Sequence, residues 1–188
     1  MKKIFLCLLP IIFAACAKGE TIAEVNGKKI SLNYLERELE KLPESLRKNF
    51  DNDYPGFLEE LITIEILSQE AKRLKIDTII EVKAKIAHDK NMRNNILATE
   101  LLNREVVMKI QVSEDELKKF YSEHKKETKG STYEHARPQI YQILRDQKKQ
   151  DALNAYIADL RDRARVIRNK KWLERKLTEL DDPIDETF

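Results

Sequence analysis

Cysteine is nearly absent from this chain, and the two it has, Cys7 and Cys16, both fall within the first sixteen residues. If the leader described below is removed, only Cys16 remains, so no disulfide can form within the chain and stability must come from packing. Glycine and proline are scarce too, four and five in 188 residues. That is too few for a turn-rich β chain or a disordered one. No apolar stretch reaches the ~20 residues that a membrane-spanning helix needs. Excess charge of one sign is also missing, since 35 basic residues face 33 acidic ones. Nucleic-acid binding calls for a net positive field or a clustered basic face, so no nucleic-acid partner is expected.

What the chain does have is dense, interspersed charge, 36% of all residues, which suits long solvated helices laced with i,i+4 pairs. Its first residues are the exception. Lys2 and Lys3 precede an unbroken apolar run from Ile4 to Ala15 that ends in small residues and a cysteine. Charge, then apolar run, then small residues is the layout of an export signal. The end of that run, Phe13-Ala14-Ala15-Cys16, resembles a bacterial lipobox, with Phe13 standing where that pattern usually has leucine. The resemblance implies a signal peptide over 1–15, lipid on Cys16 and a short polar tether over 16–20; secretion after Ala15 or Ala17 is the alternative. Removing 1–15 takes Lys2 and Lys3 and no acid, so the mature chain is close to neutral. The expected location is the cell envelope, periplasmic side, lipid-anchored. Ala17 rather than aspartate after Cys16 favours the outer membrane where the host has one.

Residues 21–180 read as one mainly α-helical module. Thr21 to Ser31 predicts a β-hairpin turning at Asn26-Gly27, two residues that tolerate positive φ. Ser31 then caps a helix with Leu32, Leu35, Leu39 and Leu42 at helical spacing, ended by Pro43. A short helix spans Glu44 to Phe50. From Pro55 a strongly apolar helix runs to about Ile76 and, being apolar on more than one side, is expected at the centre of the core. Asp77 is expected to cap a helix that either continues unbroken to Ile110 as an arm or bends near Asn91–Asn95. Ser113-Glu-Asp-Glu116 is a capping box opening another helix, which with the helix from Asp77 is expected to form the arm or one wall of a cradle. Residues 126–133 are a linker. A long helix ends near Arg163, with Pro138 in its first turn. Val166 marks a short strand that completes the hairpin, Asn169 caps a helix containing Trp172, and 181–188 form an acidic tail. The fold expected is a helical bundle with a long helical arm and a small hairpin completed by a C-terminal strand.

Four stretches, in this order and spacing, resemble the SurA/PrsA-type extracytoplasmic chaperones. They are Val25-Asn26-Gly27 with Ile30-Ser31; Leu61-Ile62 to Gln69-Glu70-Ala71; Lys109-Ile110-Gln111-Val112-Ser113-Glu114 through Phe120-Tyr121; and Ala136-Arg137-Pro138-Gln139-Ile140 through Arg163-Ala164-Arg165-Val166. The resemblance covers most of residues 21–168. In that family a parvulin-type prolyl isomerase domain is inserted between the helices corresponding to 114–125 and to the one starting near Glu134. Here only the linker occupies that position, and domains rarely fall below ~50 residues. The resemblance therefore implies the chaperone module without its isomerase, binding unfolded or partly folded exported proteins without ATP.

Signs of catalysis are weak. His88, His124 and His135 lack the i,i+4 partners of a metal site, and His88-Asp89 and Glu134-His135 point to different helix faces, so solvated surface is the favoured reading. No nucleotide loop or nucleophile elbow occurs. No catalytic residue, metal or cofactor is expected. Acidic pairs such as Glu59-Glu60 suit helix N-termini. The basic C-terminal third, from Arg145 to Lys171 with Asp146, Asp151, Asp159 and Asp162 interleaved, reads better as a balanced helix surface than as a lipid-headgroup site. Aromatic and methionine residues beside breaks carry the binding hypothesis, because a chaperone must present adaptable apolar surface. From a set that also includes Met108 and Tyr156, the candidates for client contact are Tyr54, Met92, Tyr121 and Tyr141. Two other functions stay open: an envelope scaffold lipoprotein with one dedicated partner, and residual prolyl isomerisation. A homodimer through swapped arms also stays open.

Overall fold

Asn26 and Gly27 take positive φ, 49° and 87°, and turn Thr21–Val25 (β1) back into Lys28–Ser31 (β2). The computed structural model that gives this geometry describes residues 19–50, 53–125 and 130–181. The expected leader, Cys16, residues 126–129 of the linker and the tail from 182 lie outside the described residues. Val166–Arg168 (β3) pairs antiparallel with β1, with Val25 opposite Val166, giving the strand order β2-β1-β3. A lone hairpin is marginal in water, and the third strand pins the two distant parts of the chain together. The Asn26 N–H donates to the Arg165 carbonyl and the Arg165 N–H to Asn26 Oδ1, both at 2.8 Å.

Helix α1 (Leu32–Glu40) starts behind Ser31, whose hydroxyl accepts from the Tyr34 N–H at 3.2 Å. A single turn, α2 (Glu44–Arg47), follows Pro43. Helix α3 (Tyr54–Arg73) is capped by Asp53, which accepts from the Gly56 N–H at 2.8 Å. Leu58, Leu61, Ile62, Ile66, Leu67 and Ala71 are all buried on it. It is the central core helix, with the sheet, α1 and three later helices packed around it. Burying each such aliphatic side chain is worth ~1.5–3 kcal/mol.

The segment from Asp77 bends, the second of the two outcomes expected of it, with the break at residues 89–92, overlapping the start of 91–95. Asp77 lies in a 3-10 turn, Ile76–Thr78, and α4 (Ile80–His88) starts behind Ile79 without a side-chain cap. Asp89 breaks the chain: its carboxylate accepts from the Asn91 and Met92 N–H groups at 3.0 and 3.2 Å, organising a 3-10 turn over Lys90–Met92. Helix α5 (Arg93–Glu105) then returns. The fold-back lets Val82 of α4 and Leu97 and Leu101 of α5 enter one core. A straight helix would spread them over ~28 Å. Lys85 seals it by donating to Glu100 at 2.5 Å. Against α3, α5 contributes a buried polar network in which Glu65 accepts from Gln69 and Asn94, and Ser68 donates to Asn94.

An arm does exist, built from the helix that opens at Glu114, as expected, and the start of the long C-terminal helix in place of the segment from Asp77. Ser113 and Glu116 form the capping box of α6 (Glu114–Glu123), and α7 (Tyr133–Arg163) has 31 residues, about 46 Å of helix. The C-terminal half of α7 buries Leu160, with Tyr156 and Ile157 beside it, against the main core. Its N-terminal half buries Ala136 and Ile140 with Leu117 of α6 in a second, separate cluster. Because α7 begins at Tyr133, Pro138 lies in its second turn, not its first. The earlier start is what brings Ala136 onto α6. Helix α8 (Lys170–Asp181) is capped by Asn169, which accepts from the Trp172 N–H at 3.2 Å, and buries Trp172.

Candidate functional site

Where the arm leaves the body, α7 crosses from one core to the other, and a groove of about 730 Å³ opens beside it. One wall is a single face of α7: Lys148, Asp151, Ala152, Ala155, Tyr156 and Asp159, at helical spacings of three and four. This face is about 16 Å long. The other wall is the end of α5 and the connection to α6, with Glu105, Val106, Lys109, Ile110 and Gln111. Val106 is buried, yet it belongs to neither core cluster. It sits at the junction, and the two alanines of α7 leave the space that larger residues would fill.

Charges around the groove are mostly matched within the protein. Lys109 pairs with Glu105 at 2.6 Å, and Asp159 with Arg163 at 2.6 Å. Lys148 reaches Glu116 at 2.5 Å and the Gln111 carbonyl at 2.8 Å, tying α7 to the base of the arm. Asp151 has no ion-pair partner among the described residues. Burial, followed by the carboxylates of Glu70 and Glu105, pushes the Tyr156 phenol above its usual range, so it stays neutral. Met108, in the same turn as Lys109, is 72% exposed. The groove offers an apolar floor, a neutral phenol and a rim of charged side chains.

A smaller pocket of about 250 Å³ lies further along α7, lined by Ile66, Leu160 and Ala164 below and by Asn26, Gln69, Glu70, Arg73 and Arg163 above. Its charges are satisfied locally, Arg73 by Glu70 in a bidentate pair. No group of three His, Cys, Asp or Glu residues among those described could hold a metal. His124 stacks on Phe120 at 4.1 Å and His135 contacts Thr132 at 2.8 Å, both on the arm.

The four candidate contact residues are not brought together. Tyr54 packs on the main core with the Lys176 ammonium 5.0 Å from its ring. Met92 lies in the turn between α4 and α5 and is 38% exposed. Tyr121 and Tyr141 both flank the arm cluster, where the Tyr121 hydroxyl donates to the Ser131 carbonyl at 2.8 Å. None of them lines the groove. Tyr156, from the wider aromatic set, does. The usable signal was the pair Ala152 and Ala155, small residues on a helix face otherwise made of long side chains, opposite the break at Lys109–Val112.

No family model matches the chain. It is 26% identical over 134 residues to the foldase protein PrsA of Caldanaerobacter subterraneus subsp. tengcongensis. That alignment takes in 57% of this chain and 44% of the relative, so the chain spans less than half the length of the curated protein it matches. Among the described residues no helix is long and apolar enough to cross a membrane.

Proposed function

We propose that this protein is an ATP-independent extracytoplasmic chaperone that holds exposed apolar segments of non-native exported proteins in the groove between its body and its arm. The observation that carries the reading is the groove itself: an open apolar trough of about 730 Å³ between two separate cores. Similarity to a foldase supports it over a scaffold with one fixed partner. Contact with an apolar floor is non-directional and worth ~25 cal/mol per Å² removed from water, so binding is weak, tolerant of sequence and reversible. Met108 beside the groove adds a side chain that adapts to varied surfaces.

The role is binding, not catalysis. Helix α6 ends at Glu123 and α7 begins at Tyr133, and the nine residues between them fall far short of a domain of ~50. Tyr54, Met92, Tyr121 and Tyr141 stand as secondary contacts outside the groove. Cys16 is the proposed lipid attachment, holding the module at the membrane from which exported chains emerge. Mass spectrometry of the mature N-terminus tests this, and an unacylated Cys16 would remove the anchor from the proposal.

The main test is aggregation. A chemically unfolded exported protein is diluted with and without the full chain, in the absence of nucleotide. Suppressed light scattering is expected at equimolar or modest excess. Unchanged aggregation at several-fold excess of a folded sample defeats the proposal.

A further inference from the structure

The C-terminal cations are unevenly answered within the fold. Lys148 pairs with Glu116, Arg163 with Asp159, and Arg161 and Arg168 share Glu59. Lys170 and Lys171 are exposed and have no ion-pair partner among the described residues, and Glu174, one turn on, pairs with neither. Both stand in the first turn of α8, which carries no acid, although the helix dipole favours negative charge there. Their charge therefore weakens the helix locally, and no contact in the fold offsets it. Leu177, two turns along the same face as Lys170, is 52% exposed. The chain also enters the body on this helix. Glu20 accepts from Arg175 Nη2 at 2.8 and 3.0 Å and from Asn169 Nδ2 at 3.3 Å. Cys16 lies only four residues before Glu20, a reach of at most about 14 Å.

We infer that the outer face of α8 is a membrane-contact surface, with Lys170 and Lys171 on the phosphates of anionic phospholipids and Leu177 at headgroup level. The inference rests on the reading of Cys16 as the lipid attachment and adds which face the anchor presses to the bilayer. A tether somewhat short of full extension brings α8 within the ~8 Å over which fixed charges still act at physiological salt. Basic side chains at that distance are drawn to an anionic leaflet, and an exposed leucine among them suits the boundary between headgroups and acyl chains. The lipid supplies anchorage; the lysines supply orientation. No residue of α8 lines the groove, so the contact leaves it open to clients.

The test uses the chain from residue 16 onward, which keeps every described residue, with Cys16→Ser so that no lipid masks the contact. It is sedimented with vesicles of phosphatidylcholine alone or with about one-third phosphatidylglycerol, in low and in high salt. Binding is expected on the anionic vesicles only, and is expected to disappear in high salt. Lys170→Glu with Lys171→Glu should lower it at least about tenfold, and Leu177→Ser several-fold. The lysine reversals put acids where the dipole favours them, so the melting temperature should not fall. The same reversals at Lys83 and Lys90, exposed on and beside α4, should change it less than about twofold. Equal binding to both vesicles, no binding in low salt, or equal loss from the two pairs of reversals overturns the inference. Acylation of Cys16 is read separately by mass spectrometry, so its failure is told apart from this one. Loss of aggregation suppression in the Lys170 and Lys171 double variant would give α8 to client binding instead and likewise defeat the inference.

Discussion

Arg168 in β3 and Glu59 in α3, 109 positions apart, are joined by two hydrogen bonds, from Nε to Oε1 at 2.6 Å and from Nη2 to Oε2 at 2.8 Å. Arg161 of α7 donates to the same carboxylate and to Thr63 Oγ1 at 2.9 Å. One half-buried glutamate therefore fastens the C-terminal strand and the long helix to the central helix.

The Arg168 bond, ahead of the opposing effect of burial, holds the Glu59 carboxyl below its ordinary range. A carboxylate with a lowered folded pKa stabilises the fold above its unfolded value, and that contribution disappears as pH falls through the folded value. Glu59→Gln is expected to cost about 1 kcal/mol at neutral pH, between exposed and buried pairs in strength. The cost should begin to shrink as pH falls below the ordinary carboxylate pKa and vanish only below the lowered folded value. Urea titrations at pH 7 and pH 3, in a double-mutant cycle with Arg168→Ala, measure it. A cost that stays the same at both values would assign the effect to packing.

The arm should loosen in acid before the body does. Glu114 is lowered to about 2 by Arg137 and Tyr133, and Glu116 to about 2 by Lys148 and its capping role at Ser113. Both shifts are downward, so the contribution is complete above the ordinary value of 4.5 and drains away between there and about 2. Amide exchange measured between pH 5 and pH 2, after correction for intrinsic rates, should show protection lost in α6 before α3.

Filling the groove should remove function without touching the fold. Ala155→Trp places an indole in the space between α7 and Ile110 on an exposed helix position, where substitutions usually cost under ~0.5 kcal/mol. Aggregation suppression is expected to fall at least fivefold with the melting temperature nearly unchanged. Met92→Ser, away from the groove, should have a much smaller effect.

Among the described residues Trp172 is the largest fully buried side chain, and its indole Nε1 has no hydrogen-bond partner there. Trp172→Ala should cost about 3–5 kcal/mol through the cavity it leaves. Trp172→Phe should cost far less than its lost volume suggests, under about 1.5 kcal/mol, because it also removes an unsatisfied buried donor. Chemical denaturation of the two variants separates these terms.

Much of the fold was legible because its signals are short-range. The hairpin followed from Asn26-Gly27, α1 from Ser31, α6 from the Ser113–Glu116 box, and α8 from Asn169, each a backbone requirement met by one or two neighbouring side chains. A bend near Asn91–Asn95 was one of two outcomes open in the sequence; it falls at residues 89–92, where an aspartate amid helix formers breaks a helix only if the halves gain by packing. Here they gain the core around Val82, Leu97 and Leu101. The groove was not legible, because its walls lie some 40 positions apart and Ala152 and Ala155 read locally as ordinary helix formers.

The amino-acid sequence alone determined the class of the protein: helices with set starts and stops, a three-stranded sheet uniting distant segments, and no cysteine pair within the described body. Tertiary structure alone decided that α7 joins α6 in the arm, and that α7 serves two cores with a gap between them. Periodicity states that a helix face is apolar or small, but not what it meets. Only the assembled chain, by burying Leu160 at one end of α7 and Ile140 toward the other, leaves the alanines between them uncovered.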